Sequence, residues 1–168
     1  MANNQVQFID NSDVYLTALG NNLDATLEAI GLYAVGEVVQ TITEEGRVDT
    51  GIYRNSITYA VSGGETAIKS YKADVGDVEG SYSGTMGSDK EKAVFIGSNL
   101  EHAVWNEVGT GKYASEPGGR QSPWRYKDSD GKWHTTSGMK GIHALKKAAA
   151  NHNDEYKTLI EKGLKGEL

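Results

Sequence analysis

Four short constellations in this chain carry residue types that do chemistry. Gly109-Thr-Gly-Lys112 invites comparison with a phosphate-binding loop. Such a loop needs Gly, four residues, then Gly-Lys and Ser or Thr, so that backbone amides and a hydroxyl hold phosphate and magnesium. Here Asn106 stands at the first Gly position and Tyr113 replaces the hydroxyl. The flanks read helix then loop, the wrong order for that motif. Asp128-Ser-Asp130-Gly131 has oxygen ligands for calcium. Yet a helix-loop-helix calcium site wants Gly at the sixth position and Glu at the twelfth, and neither is in register. A hairpin turn accounts for these residues. His102, His134, His143 and His152 offer imidazoles for zinc, but none pairs with another at i, i+4 around a Glu. Ser, His and Asp all occur, without the Gly-x-Ser-x-Gly elbow that exposes a nucleophile. Asp49 and Glu107 are the acidic residues most isolated in apolar sequence, and Asp49 fits a turn or helix cap.

Bulk properties narrow the classes further. The chain has 168 residues, which suits one domain spanning 1–168. Hydrophobic residues make up 38%, Gly is abundant at 21 and Pro scarce at 2, a balance that favours long loops. With no cysteine, disulfides, thiol nucleophiles and thiolate metal sites are excluded. A net charge of −6 lacks the basic footprint of a nucleic-acid binder. No basic segment followed by an apolar run opens the chain, so no signal peptide is expected. No apolar run approaches the ~20 residues of a membrane span. The expectation is assembly in a reducing cytoplasm, with no cofactor, no metal and no catalysis.

The elements that must position these residues follow from periodicity. Leu16, Leu19, Leu23, Leu27, Ile30, Ala34, Val38 and Ile42 recur at spacings of three and four. That predicts a long amphipathic helix over 14–43, capped by Asn11, Ser12 or Asp13 and ended at Gly46. At about 1.5 Å per residue it spans about 45 Å, so it either wraps a sheet or extends along a neighbour. Residues 57–61 alternate as a strand. Residues 66–75 read as a second strand, paired with the first through Gly63-Gly64. Residues 76–92 read as a mobile loop, and 93–97 as a short buried strand. A short helix over 100–108 is expected to turn Ala103, Val104 and Trp105 inward. Residues 124–127 and 132–135 flank Asp-Gly as a hairpin, with Trp124 opposite His134 or Thr135. Residues 142–164 form a C-terminal amphipathic helix. The expected class is α+β: an antiparallel β-sheet packed by a long N-terminal helix and a C-terminal helix, with long loops and a β-hairpin.

Three segments then stand out together. They are Val48-Asp-Thr-Gly-Ile-Tyr-Arg-Asn-Ser-Ile57; Val94-Phe-Ile-Gly-Ser-Asn-Leu-Glu-His-Ala-Val-Trp-Asn-Glu-Val-Gly-Thr-Gly111; and Gly118-Gly-Arg-Gln-Ser-Pro-Trp-Arg-Tyr-Lys127 with Gly131-Lys-Trp-His134. In order and spacing this set resembles the tail-component or neck family of long-tailed phages like Hong Kong 97. Its members are described as head–tail joining or tail-completion proteins. The resemblance covers roughly residues 14–160. His102 and Val108 stand where that family has aromatics.

The resemblance implies a non-enzymatic structural protein of the virion neck. It implies a homo-oligomeric ring, six copies being expected, between the head-closure or adaptor ring and the tail tube or tail terminator. DNA would pass through the ring without sequence-specific contacts. A tail terminator of the same connector is the alternative; a tail-associated hydrolase and a monomeric binding module are the rivals from other classes. Asp49 and Arg54 are expected to brace the turn after the long helix. Glu107 is expected to accept hydrogen bonds from loop amides or to meet a cation. Trp124, Tyr126 and Trp133 are expected to form one aromatic patch on the hairpin, offering contact area to a neighbour.

Overall fold

The computed structural model describes residues 10–62, 67–84, 92–115, 118–128 and 130–168. The long periodic segment forms α1 (Ser12–Glu44). Its start is tied by Asp10, which accepts from the Ser12 amide at 2.9 Å and from the Ser12 hydroxyl. Its end is a Schellman closure: Gly46 donates to the Thr43 carbonyl and Arg47 to the Ile42 carbonyl, with Gly46 left-handed at φ 66°. A one-turn helix, α2 (Ile52–Ser56), follows and leads into β1 (Thr58–Val61).

The core lies between the second half of α1, α2 and a helix from the far end of the chain. Val38, Ile42, Tyr53, Ile57, Ile142, Ala144 and Ala148 form its buried cluster. Burying each branched side chain here contributes about 1.5–3 kcal/mol. The buried stripe on α1 covers only part of its length. Residues 11–19 are all exposed, with Leu16 at 65% and Leu19 at 50%, although the sequence periodicity runs through both.

The class is α+β, with small antiparallel sheets, a long N-terminal helix and C-terminal helices. The strands form three two-stranded sheets. Against expectation, β1 does not pair with the next strand. It pairs with β4 (Val94–Gly97), Tyr59 opposite Ile96. That register sets both side chains toward α1: the Tyr59 ring lies where a Cβ on Gly31 would be, and Ile96 packs on the core. Ser62 and Ala93 close the pair, amide to carbonyl at 2.8 Å. The Gly63-Gly64 turn itself lies outside the described residues.

β2 (Ala67–Lys72) pairs instead with β3 (Glu79–Gly84). Part of the segment read as a mobile loop, 76–92, is therefore a strand, and 85–91 lies outside the described residues. Ser and Gly make up most of β3, which explains why it looks like loop. Two further corrections concern helices. α3 (Ala103–Val108) leaves Val104 and Trp105 exposed at 47% and 50%, because the core contacts come from Ala103 and Leu100. The C-terminal helix is two: α4 (Ala144–Asn151) and α5 (Asn153–Lys165). The chain breaks at His152, whose ring is held by Tyr33 and Glu37 of α1, each at 3.0 Å. From there α5 runs back along α1 until Gly163 meets Thr26 and Gly166 reaches Asn22. The last hairpin is β5 (Trp124–Lys127) with β6 (Trp133–Thr136).

Candidate assembly interface

The Val48–Ile57 segment is a clasp. Gly51 takes the left-handed φ of 79° that turns the chain into α2. A Cβ there would overlap the Asp74 carboxylate. That carboxylate is the partner of Arg54, and its other oxygen accepts from Asn55 Nδ2 at 2.9 Å. Asn55 also donates to the Lys72 carbonyl at 2.8 Å, and Asp74 N–H donates to the Thr50 carbonyl at 2.7 Å. The segment thus pins the turn between β2 and β3 to α2. Of the two residues expected to brace the turn, Arg54 reaches across to Asp74, and Asp49 is exposed. Nothing local in the sequence links Arg54 to a residue twenty positions on.

Glu107 does accept from amides, and they belong to a helix. Its two carboxylate oxygens accept from Leu145 N–H and Lys146 N–H, each at 3.2 Å. These are orphan donors in the first turn of α4, and the negative charge also suits that end of the helix dipole. Next to it, Gly109-Thr-Gly111 forms a seam with residues 137–141. Thr110 N–H donates to Met139 O at 2.7 Å, Lys112 N–H to Ser137 O at 3.0 Å, and Ile142 N–H to Asn106 O at 2.9 Å. Cβ atoms on Gly111 or Gly138 would overlap the carbonyl oxygens of Ser137 and Thr110. These glycines let two backbones touch; they do not open a cradle for phosphate.

The hairpin register is Trp124↔Thr136, Arg125↔Thr135, Tyr126↔His134 and Lys127↔Trp133. Alternation across a pleat then separates the tryptophans. One face carries Trp124, Tyr126, His134 and Thr136. The other carries Arg125, Lys127, Trp133 and Thr135, all exposed. The single aromatic patch expected from sequence is therefore two surfaces. On the first, Tyr126 stacks on His134 with centroids 5.3 Å apart, and Trp124, half-buried beneath Arg120, lines a groove of about 460 Å³ with Trp105 and the glycine seam. On the second, the Arg125 guanidinium lies 5.2 Å from the centre of the Trp133 ring, and Trp133 is 57% exposed. Asp128 accepts from Lys132 N–H at 2.8 Å and pairs with His134 at 2.6 Å, so it shapes the hairpin tip.

Glu37, His152 and Tyr33 line up as carboxylate, imidazole and hydroxyl, a grouping that sequence spacing did not reveal. Burial, and then the Glu37 and Glu155 carboxylates, raise the Tyr33 pKa above its ordinary value. An activated nucleophile needs the opposite shift. The cluster instead locks the α4–α5 break to α1. Tyr53 is pushed up to about 12 by burial, with Glu107 adding to the effect. Among the described residues no group of three or more His, Asp or Glu is placed to hold a metal ion, and no helix is long and apolar enough to cross a membrane. Comparison with family models, curated proteins and solved structures finds no match.

Proposed function

We propose that this chain is a structural subunit of a tailed-phage neck, assembling into a closed ring of six copies between head and tail. The observation that carries this reading is uncovered apolar surface on two separate elements: Leu16 and Leu19 on α1 are 65% and 50% exposed, and Trp133 on β6 is 57% exposed. A ring subunit has two contact faces, one toward each neighbour.

The resemblance of the three segments supplies the place in the virion, and the geometry gives each a mechanical task. The Val48–Ile57 clasp fixes the β2–β3 hairpin. The Glu107–Gly111 segment caps α4 and roots the second hairpin. Trp133 and Tyr126 stand in solvent, where aromatics serve as interface anchors. The partners in this reading are further copies, the head-closure or adaptor ring, and the tail tube or terminator. DNA passes through a lumen of net negative charge, which gives no counterion-releasing basic track along its path. Localisation in the neck follows after assembly in the host cytoplasm. A tail terminator of the same connector shares all these surfaces.

Electron microscopy of the purified chain, with mass by light scattering, tests the reading. Closed rings near six subunit masses are expected. A chain that stays monomeric at all accessible concentrations, and does not assemble on isolated heads or tails, overturns it.

A further inference from the structure

Charge is divided unevenly along this chain. Residues 10–46 contain seven carboxylates and neither Lys nor Arg; Asp24, Glu37 and Glu45 are engaged by Lys92, His152 and Lys147, and Asp13 lies in the exposed stretch 11–19. Residues 120–140 contain five cations, Arg120, Arg125, Lys127, Lys132 and Lys140, against Asp128 and Asp130, and Asp128 is already engaged by His134. The most acidic element and the most cationic one each present a surface that their own subunit leaves uncovered.

On α1 that surface is the overhang. α5 ends beside Asn22, and the helix runs on past it from Leu19 back to Ser12 with every residue from 11 to 19 exposed. Leu16 at 65% and Leu19 at 50% continue the stripe that is buried further along at Ala34, Val38 and Ile42, and Tyr15 beside them is 75% exposed. Asp13 borders Leu16 at i+3 spacing. On the hairpin, the surface is the outward face of Arg125, Lys127 and Trp133. An isolated two-stranded hairpin is marginal in water. The two surfaces match in size as well as sign: eight helical residues span about 12 Å, and a four-residue strand about 13 Å.

We propose that the Arg125–Lys127–Trp133 face of one copy docks on the α1 overhang of the next, Trp133 against Leu16 and Leu19 and the cations against Asp13. The proposal rests on the ring reading and names its seam. The contact is heterologous, hairpin to helix, so each copy offers one donor face and one acceptor face, the kind of contact that builds a ring when the rotation between copies closes. The ionic part is screened by salt and the apolar part is not, so assembly weakens with added salt without vanishing.

The native chain has no cysteine, which permits a direct test. Leu16→Cys protein and Trp133→Cys protein are prepared separately, checked for helix content by circular dichroism, mixed and oxidised. Disulfide-linked pairs of one variant with the other are expected, and the double variant should give a ladder of higher multimers. In parallel, K127E and D13K should each raise the concentration for half-assembly by about tenfold or more, and the K127E/D13K double variant should recover part of that loss. If the wild type forms rings, yet no mixed disulfide appears and K127E assembles normally, the seam is elsewhere and the ring reading stands. If K127E assembles normally but loses binding to a 30-base-pair duplex at low salt, the face is a DNA contact and the proposal fails. A wild type that remains monomeric, and does not assemble on isolated heads or tails, overturns both readings.

Discussion

Glu107 caps a helix that starts thirty-seven residues after it, its carboxylate accepting from Leu145 N–H at 3.2 Å and from the neighbouring Lys146 N–H. The same residue's carbonyl accepts from His143 N–H, and His143 holds a left-handed φ of 52°. One residue thus sets both the entry angle of α4 and the satisfaction of its first turn.

Removing that carboxylate should cost a cap. Glu107→Ala is expected to lower unfolding free energy by about 0.5–2 kcal/mol, and Glu107→Gln by less, since its amide oxygen still accepts one bond. Chemical denaturation checks the order. Equal stability for all three proteins would mean the α4 amides find water as readily as Glu107.

The clasp offers a contrast between an exposed ion pair and a backbone constraint. Arg54 and Asp74 are 25% and 42% exposed, so Arg54→Ala should cost no more than about 1 kcal/mol. Gly51→Ala forces a Cβ into the Asp74 carboxylate at a left-handed φ, and should cost about 1–3 kcal/mol. Urea midpoints in the reverse order would show that the ion pair, not the turn, holds the clasp.

Close approach of α5 to α1 depends on Gly163. A Cβ there would overlap the Thr26 hydroxyl, and Thr26 is 2% exposed. Gly163→Ala should therefore destabilise by about 1–3 kcal/mol, despite the helix propensity it gains, and Thr26→Ala in the same chain should recover part of the loss. A stabilised single variant would place the two helices further apart.

Acid should act on the hairpin tip late. The pKa of Asp128 is held below its ordinary 3.8, first by the hydrogen bond from His134 and then by Lys132 N–H. A lowered carboxylate pKa contributes stability above the unfolded value and loses it as pH falls through the folded one. The Trp133 indole signal in proton spectra should hold from neutral pH to about 4 and shift below that, and Asp128→Asn should abolish the step. A signal that moves at clearly higher pH would show that Asp128 does not govern the tip.

Trp133→Ala should separate folding from assembly. The side chain is 57% exposed, so monomer stability should change by less than about 0.5 kcal/mol. Assembly midpoints should rise about tenfold or more. A large loss of monomer stability with unchanged assembly would make the hairpin part of the domain.

Much of this architecture was legible in local patterning, where the physics is local. The spacing of Ala34, Val38 and Ile42 and the Gly46 stop define α1, and Asp-Gly marks the β5–β6 turn. What escaped depends on contacts between distant segments. β1 pairs with β4 because Tyr59 and Ile96 share the α1 face, a fact set by the helix and not by either strand. β3 reads as loop because four of its six residues, Gly80, Ser81, Ser83 and Gly84, are Gly or Ser, and Gly is depleted in strands. Val104 and Trp105 read as core in sequence and stand in solvent. At the candidate interface, the sequence marks Glu107 as an acceptor without its donors and Arg54 without Asp74, and it leaves the tryptophans on one face or on adjacent positions because the hairpin register is open by one residue.

The seam of Gly109–Gly111 against residues 137–141 has a mechanical meaning. It grips both ends of the segment that carries the β5–β6 hairpin, with backbone bonds and the Thr110 hydroxyl, which accepts from Met139 N–H at 3.0 Å, joining the two strands of chain where they meet. The hairpin is therefore a lever clamped at its root. That root is tied by backbone bonds to the ends of α3 and α4.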